Sequence, residues 1–152
     1  MKKFMMLAAL GLLGIASAER SNVNLSVPIT LTVPNPCVAS ETVTLSGNVH
    51  VVGQIDTGTS GTTAKLHVNL QNFGGSTAAG RLYRAQLNGK ANLDFAPMVL
   101  PASASGTVNV RLISQGPADN FQLRLNFALA ADAGGNVTIS NPTAVPEGRC
   151  NG

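Results

Sequence analysis

The sequence predicts an all-β protein: a single antiparallel β-barrel of about eight strands closed by one disulfide, with a β-sandwich as the alternative. Three observations support this prediction. Apolar residues alternate with Thr, Ser, Asn and Gln at period two along most of the chain, which is typical of half-buried strands. No segment after residue 18 repeats helical spacing. Short turns rich in Gly, Asn, Asp and Pro separate long alternating segments, which favours a closed or strongly coiled sheet.

The first 18 residues have the organisation of a secretory signal peptide. Two lysines precede an apolar stretch over residues 4–15, and the small-x-small sequence Ala-Ser-Ala follows at 16–18. An uncleaved anchor is the alternative, but the stretch is shorter than the ~20 residues that a spanning helix needs. We therefore predict a signal peptide over 1–18, a mature chain from Glu19, a secreted or periplasmic location, and no stable membrane insertion after cleavage.

The charge of the mature chain is nearly balanced. Removal of residues 1–18 takes two lysines away and leaves eight basic and seven acidic residues. The chain has no Lys/Arg cluster, no tryptophan and a single tyrosine. A nucleic-acid partner is therefore not predicted, because such partners select basic patches interleaved with aromatic residues.

Eight segments carry the period-two alternation. They are 23–33, 41–55, 64–72, 79–87, 90–99, 106–114, 120–131 and 137–140. The first contains Pro28, which lacks an N–H for a sheet ladder. We therefore predict that residues 19–36 form an extended N-terminal arm or edge strand, and that 37–152 form the all-β domain.

The sequence LNGK at residues 87–90 predicts a hairpin. A two-residue loop would place Leu87 opposite Lys90 and mix the apolar and polar faces. A three-residue loop with a bulge at Gly89 instead pairs Tyr83 with Phe95 and keeps the apolar side chains on one face. We predict the bulged loop.

The two cysteines, Cys37 and Cys150, predict one disulfide. Cys37 lies about eighteen residues too far from the predicted cleavage site to carry a lipid, and no CxxC motif is present. The bridge would close a loop of more than a hundred residues, worth ~4–5 kcal/mol in the chain-entropy description.

Few side chains in the sequence are of the types that catalyse reactions or bind metal ions. His50 and His67 fall on the polar faces of neighbouring predicted strands and could share a metal ion, but two solvated histidines are the alternative. DTGTSG at 56–61 matches the aspartic-protease loop only once, whereas those enzymes need two such aspartates. No Gly-x-Ser-x-Gly elbow or phosphate-binding glycine loop occurs. We predict no catalytic residues and no cofactor.

The inward positions include a possible ligand lining. Tyr83 and Phe95 are candidate ligand-lining residues, and core packing is the alternative for both. Small inward residues either leave room for an apolar molecule or let a compact barrel pack. These small residues are Gly47, Gly53, Ala64, Ala85 and Ala91.

A cysteine just ahead of ETVTLSGNVHVV, the segment QGPADNFQLRLNF and a cysteine near the C-terminus resemble small secreted bacterial all-β proteins. The resemblance implies fold and export, and no activity.

Three functions remain open from the sequence. The first is an exported, non-enzymatic β-domain that binds a small apolar ligand in its interior. The second is a structural or surface-assembly subunit of the cell envelope, in which the arm at 21–33 pairs with another subunit's sheet. The third is a metal-dependent enzyme that uses His50 and His67.

Overall fold

The computed structural model describes residues 19–87, 91–140 and 142–151, and only the main chain at 87, 91–98, 149 and 151. The described residues form nine β-strands in one sheet. They are β1 (Glu19–Pro34), β2 (Thr42–Gly58), β3 (Gly61–Thr77), β4 (Leu82–Leu87), β5 (Ala91–Met98), β6 (Ala102–Ser114), β7 (Asn120–Ala131), β8 (Val137–Ile139) and β9 (Thr143–Asn151). The predicted all-β class is confirmed.

The nine segments fill seven positions around a nearly closed antiparallel barrel. β4 pairs with residues 74–76 of β3 and β5 pairs with residues 62–68, so β4 and β5 follow each other along one edge of β3. β8 and β9 share one edge of β7 in the same way. The order around the barrel is therefore β1, β2, β3, β4 with β5, β6, β7, and β8 with β9.

The predicted hairpin between β4 and β5 is wrong. Both segments pair with β3 in the same direction, Tyr83 opposite Gly75 and Phe95 opposite Ala64. The loop itself, residues 88–90, lies outside the described residues. β3 is 17 residues long and offers an edge to both segments, so long-range pairing prevails over the local turn preference of Asn-Gly.

Several strands are longer than the alternation predicts. Residues 56–61, predicted as a loop, belong mostly to β2 and β3, and only residues 59 and 60 form the turn. β1 pairs with β2 along its whole length, from Glu19 opposite Thr57 to Pro34 opposite Thr42. The N-terminal segment is therefore a strand of the barrel's own sheet.

An open seam separates β1 from β8 and β9. Because the barrel has seven antiparallel positions, the strands on either side of the seam run in the same direction. Their Cα atoms come within 8 Å of each other, but no ladder joins them in the described part of the chain. The predicted disulfide between Cys37 and Cys150 is confirmed and crosses the seam, with a Cα–Cα distance of 5.5 Å.

The barrel interior is filled by apolar side chains from alternate strand positions. The largest fully buried ones include Tyr83, Phe121 and Leu45. A Cβ at Gly47 would lie 2.7 Å from the Cα of Phe73, so this glycine permits close backbone approach at the bulge between β2 and β3. Within the described ranges, no helix has the length and hydropathy needed to cross a membrane.

Candidate ligand site at the open end of the barrel

One end of the barrel, the open end, lies opposite the disulfide. The start of β1, the β2–β3 turn, the β5–β6 loop at 99–101 and the β7–β8 loop at 132–136 meet there. Cys37 follows the end of β1 and Cys150 lies near the end of β9, so the bridge ties the far end. The disulfide therefore does not link strands at the open end.

An apolar cavity of about 30 Å³ lies inside the open end. Its described lining is almost entirely aliphatic. The lining residues are Ile55, Thr62, Ala64, Leu66, Leu100, Ala102, Ser103, Ala104, Leu129, Ala130, Ala131 and Val137. Several of the described inward positions here carry alanine, whereas leucine or phenylalanine fills many of them elsewhere in the barrel.

A wider space of about 370 Å³, here called the vestibule, adjoins the cavity. The two spaces share Ile55, Thr62 and Leu100 in their linings. Hydroxyl groups lie where they meet: the Oγ1 atoms of Thr57 and Thr62 are 3.3 Å apart. The apolar cavity thus adjoins a larger space with polar groups at its wall.

Among the described residues, no ladder joins β5 to β6 beside the cavity. β6 pairs with β4 at residues 110–114, whereas β5 pairs only with β3 among the described strands. Residues 102–109 of β6 therefore have no described ladder partner on this side.

The rim of the open end is organised by two carboxylates. Arg20 Nε donates to Asp56 Oδ1 at 2.7 Å. Asp132 accepts from the backbone N–H groups of Gly134 and Asn136 at 2.8 and 2.9 Å. The Asn136 side chain, which donates to Asp132 Oδ2, is the main reason why the pKa of Asp132 lies below its ordinary value.

The candidate ligand-lining residues Tyr83 and Phe95 lie in different parts of the barrel. Tyr83 is 2% exposed and packs edge-to-face on Phe121, with ring centroids 5.4 Å apart. Its hydroxyl accepts a hydrogen bond from Asn35 Nδ2 at 3.2 Å, near the disulfide. The main chain of Phe95 pairs with Ala64, which lines the cavity, but its side chain lies outside the described residues.

The sequence did not predict a polar cluster that lies beside the disulfide. Asn35 Nδ2 donates to Glu41 Oε2 at 3.0 Å, and Asn35 Oδ1 accepts from the Cys37 N–H at 3.0 Å. Arg81 Nη1 donates to Glu41 Oε1 at 2.6 Å. The only sequence signal was the requirement that a buried Tyr83 hydroxyl have a partner. The cluster anchors the 35–41 loop to the β3–β4 turn.

His50 and His67 are diagonal neighbours on the outer face of β2 and β3, because His50 pairs with Asn69 and His67 with Val52. His50 Nε2 lies 3.0 Å from Asn24 Oδ1, and its Nδ1 lies 3.2 Å from Gln71 Nε2. Both ring nitrogens of His50 thus have amide partners. In the parts of the chain that the structure describes, no three His, Cys, Asp or Glu side chains gather where they could hold a metal ion.

No protein-family model, curated protein or solved structure matches the chain.

Proposed function

We propose that the chain is an exported, non-enzymatic β-barrel that binds a small apolar ligand at its open end. The observation that carries the proposal is the apolar cavity, which adjoins the vestibule at Ile55, Thr62 and Leu100. Ligand sites are typically concave, mostly apolar spaces of ~300–1,000 Å³ with a few polar groups. The vestibule has this size and the cavity supplies the apolar wall.

The dimensions limit the ligand. A cavity of about 30 Å³ holds roughly two water-sized spheres at ~10–15 Å³ each. Only an apolar tip of the ligand therefore fits in the cavity, and the larger part of the ligand lies in the vestibule. The hydroxyls of Thr57 and Thr62 are placed to accept or donate a hydrogen bond to a polar group on that part.

Binding has more support than catalysis at this site. Within the described lining of the cavity and the vestibule there is no His, Cys or Lys, and Glu19 is the one ionisable side chain. General acid–base or nucleophilic chemistry needs a positioned pair of such groups.

Export is supported by two features. Residues 1–18 have signal-peptide organisation, and the Cys37–Cys150 bridge is typical of oxidising compartments outside the cytosol. An envelope-assembly role has less support, because one edge of β1 is paired along its length with β2 and its other edge lies against β8 and β9 across the seam.

The experiment compares two leucine substitutions in the purified protein. Ala104 is half-buried and lines the cavity, whereas Ala128 is exposed on the adjacent strand β7. We expect saturable binding of a neutral apolar fluorophore, N-phenyl-1-naphthylamine. Ala104→Leu should weaken its affinity about tenfold or more, and Ala128→Leu by less than about twofold, because only Ala104→Leu fills the chamber.

The proposal is wrong if the unsubstituted protein shows no saturable binding of the fluorophore, or if both leucine variants weaken it equally. Melting temperatures measured on both variants separate lost binding from lost folding. Solvent extraction of the purified protein followed by mass spectrometry supplies a second readout, in which an apolar molecule is recovered from the protein and is reduced in Ala104→Leu.

A further inference from the structure

The β5–β6 loop carries an unusual exposed side chain. Val99 is 84% exposed, the most of the large hydrophobic residues described, ahead of Leu82 at 57% and Val145 at 50%. Val99 also lines the vestibule, and the next residue, Leu100, is half-buried and lines both the cavity and the vestibule. Exposed apolar surface and the apolar interior are thus joined by two consecutive residues.

The charges around this loop indicate what surface it can meet. Residues 98–101 are Met, Val, Leu and Pro, without charge. The described charged side chains at the open end are Glu19, Arg20, Asp56 and Asp132, and Arg20 is paired with Asp56. Signal cleavage would leave an α-ammonium group at Glu19, so three carboxylates face Arg20 and this group, a net charge of −1, which disfavours an anionic surface and favours one without net charge.

We propose that Val99 and Leu100 make a reversible contact with a zwitterionic lipid surface, from which the apolar ligand passes directly into the cavity. This inference rests on the proposed function, since it names the source of the same site's ligand. A single inserted valine gives a weak contact, far below stable anchoring, and weak contact suits repeated delivery rather than permanent attachment. Leu100 lines both the cavity and the vestibule, so it lies where the two spaces adjoin.

The test measures transfer of N-phenyl-1-naphthylamine from phosphatidylcholine vesicles to the protein by stopped-flow fluorescence. Val99→Asp is compared with Leu82→Asp, a matched control because Leu82 is also exposed but begins β4 at the disulfide end. We expect Val99→Asp to slow transfer about tenfold or more and Leu82→Asp to change it less than about twofold. Val99→Ser, which adds no charge, should also slow transfer.

Two further arms support or contradict the lipid contact. With about a third of the lipid replaced by anionic phosphatidylglycerol, transfer to the unsubstituted protein should slow, because the rim is net negative. Equal transfer rates for Val99→Asp and the unsubstituted protein would overturn the inference. So would sedimentation in which Val99→Asp dissociates a dimer while vesicles leave the unsubstituted protein unaffected, since the loop would then contact a second copy.

A vesicle-free titration separates this inference from the proposed function. Because Val99 also lines the vestibule, Val99→Asp should weaken binding of the dissolved fluorophore, but by no more than about threefold, well short of its roughly tenfold slowing of transfer. If Val99→Asp weakens that affinity as much as it slows transfer, Val99 is a ligand contact and the lipid inference fails while the site stands. If the unsubstituted protein binds no fluorophore at all, the proposed function itself fails.

Discussion

At the scale of single residues, Glu41 organises the disulfide end of the barrel. Partial burial raises the pKa of its carboxyl. Hydrogen bonds from Thr77, Arg81 and Asn35 lower that pKa by more, so it lies below its ordinary value. The folded protein therefore binds a proton at Glu41 less readily than the unfolded chain does.

This difference predicts how acid affects stability. The contribution of the Glu41 charge is fully present above the unfolded pKa of ~4.3, and is lost as the pH falls through the lower folded pKa. We expect Glu41→Gln to be less stable than the unsubstituted protein at pH 7, and the difference to shrink steadily as the pH is lowered below ~4.3. Urea unfolding at a series of pH values measures it. A difference that stays constant with pH would contradict this role of the charge.

Residue-scale features differ in how far the sequence reveals them. The disulfide follows from a count of two cysteines and a signal-like leader, which requires no knowledge of the fold. The Tyr83 hydroxyl bonds to Asn35, 48 residues away in the chain, and nothing local identifies that partner. The alternation predicts that Ala64 points inward, but that it lines a cavity rather than packed core depends on the side chains of β6 and β7.

At the scale of elements, close contact between β2 and β3 depends on glycine. A Cβ at Gly75 would collide with the backbone carbonyl of Thr44, whereas a Cβ at Gly58 would meet nothing within 4 Å. Both glycines lie in strands of the same hairpin. The first is required by packing and the second is not.

Alanine substitution distinguishes these two glycines. Gly75→Ala should lower the free energy of unfolding by ~3 kcal/mol, the upper part of the usual range for overpacking, because backbone rather than a flexible side chain must move. Gly58→Ala should change it by less than ~0.5 kcal/mol. Urea unfolding measures both values. Similar small effects for the two variants would mean that the strands are not in contact at Gly75.

Strand existence was predictable and strand pairing was only partly so. Period-two alternation located eight of the nine strands, since burial on one face leaves a direct mark on the sequence. β9 has the weakest alternation, with Pro146 and Gly148 inside it. The prediction of a β4–β5 hairpin was wrong for another reason. Alternation is the same whether a chain turns back or continues along β3, so only the three-dimensional pairing separates the two.

At the scale of the whole molecule, the odd number of strand positions leaves the barrel with a seam. An up-and-down sheet of seven positions brings two strands of the same direction together, and β1 and β9 approach with no ladder between their described residues. Apolar side chains on both sides of the seam are only half-buried, among them Val23, Leu25, Val137 and Ala144. The seam is therefore held by side-chain packing and by the disulfide.

Because the disulfide crosses the seam, its removal should loosen β1 and β9 locally and also lower the stability of the whole protein. Replacement of Cys37 and Cys150 by alanine should lower the free energy of unfolding by ~4–5 kcal/mol, because the bridge closes a loop of more than a hundred residues. Amide hydrogen exchange in native buffer should rise most in β1 and β9, which lose the bridge across the seam, and least in β3, which is paired with β2 on one side and with β4 and β5 on the other. Uniform acceleration across all strands would indicate that the bridge acts only through the unfolded chain. Ligand binding at the open end should survive the substitution at temperatures where the variant stays folded, since the cavity lies at the end opposite the bridge.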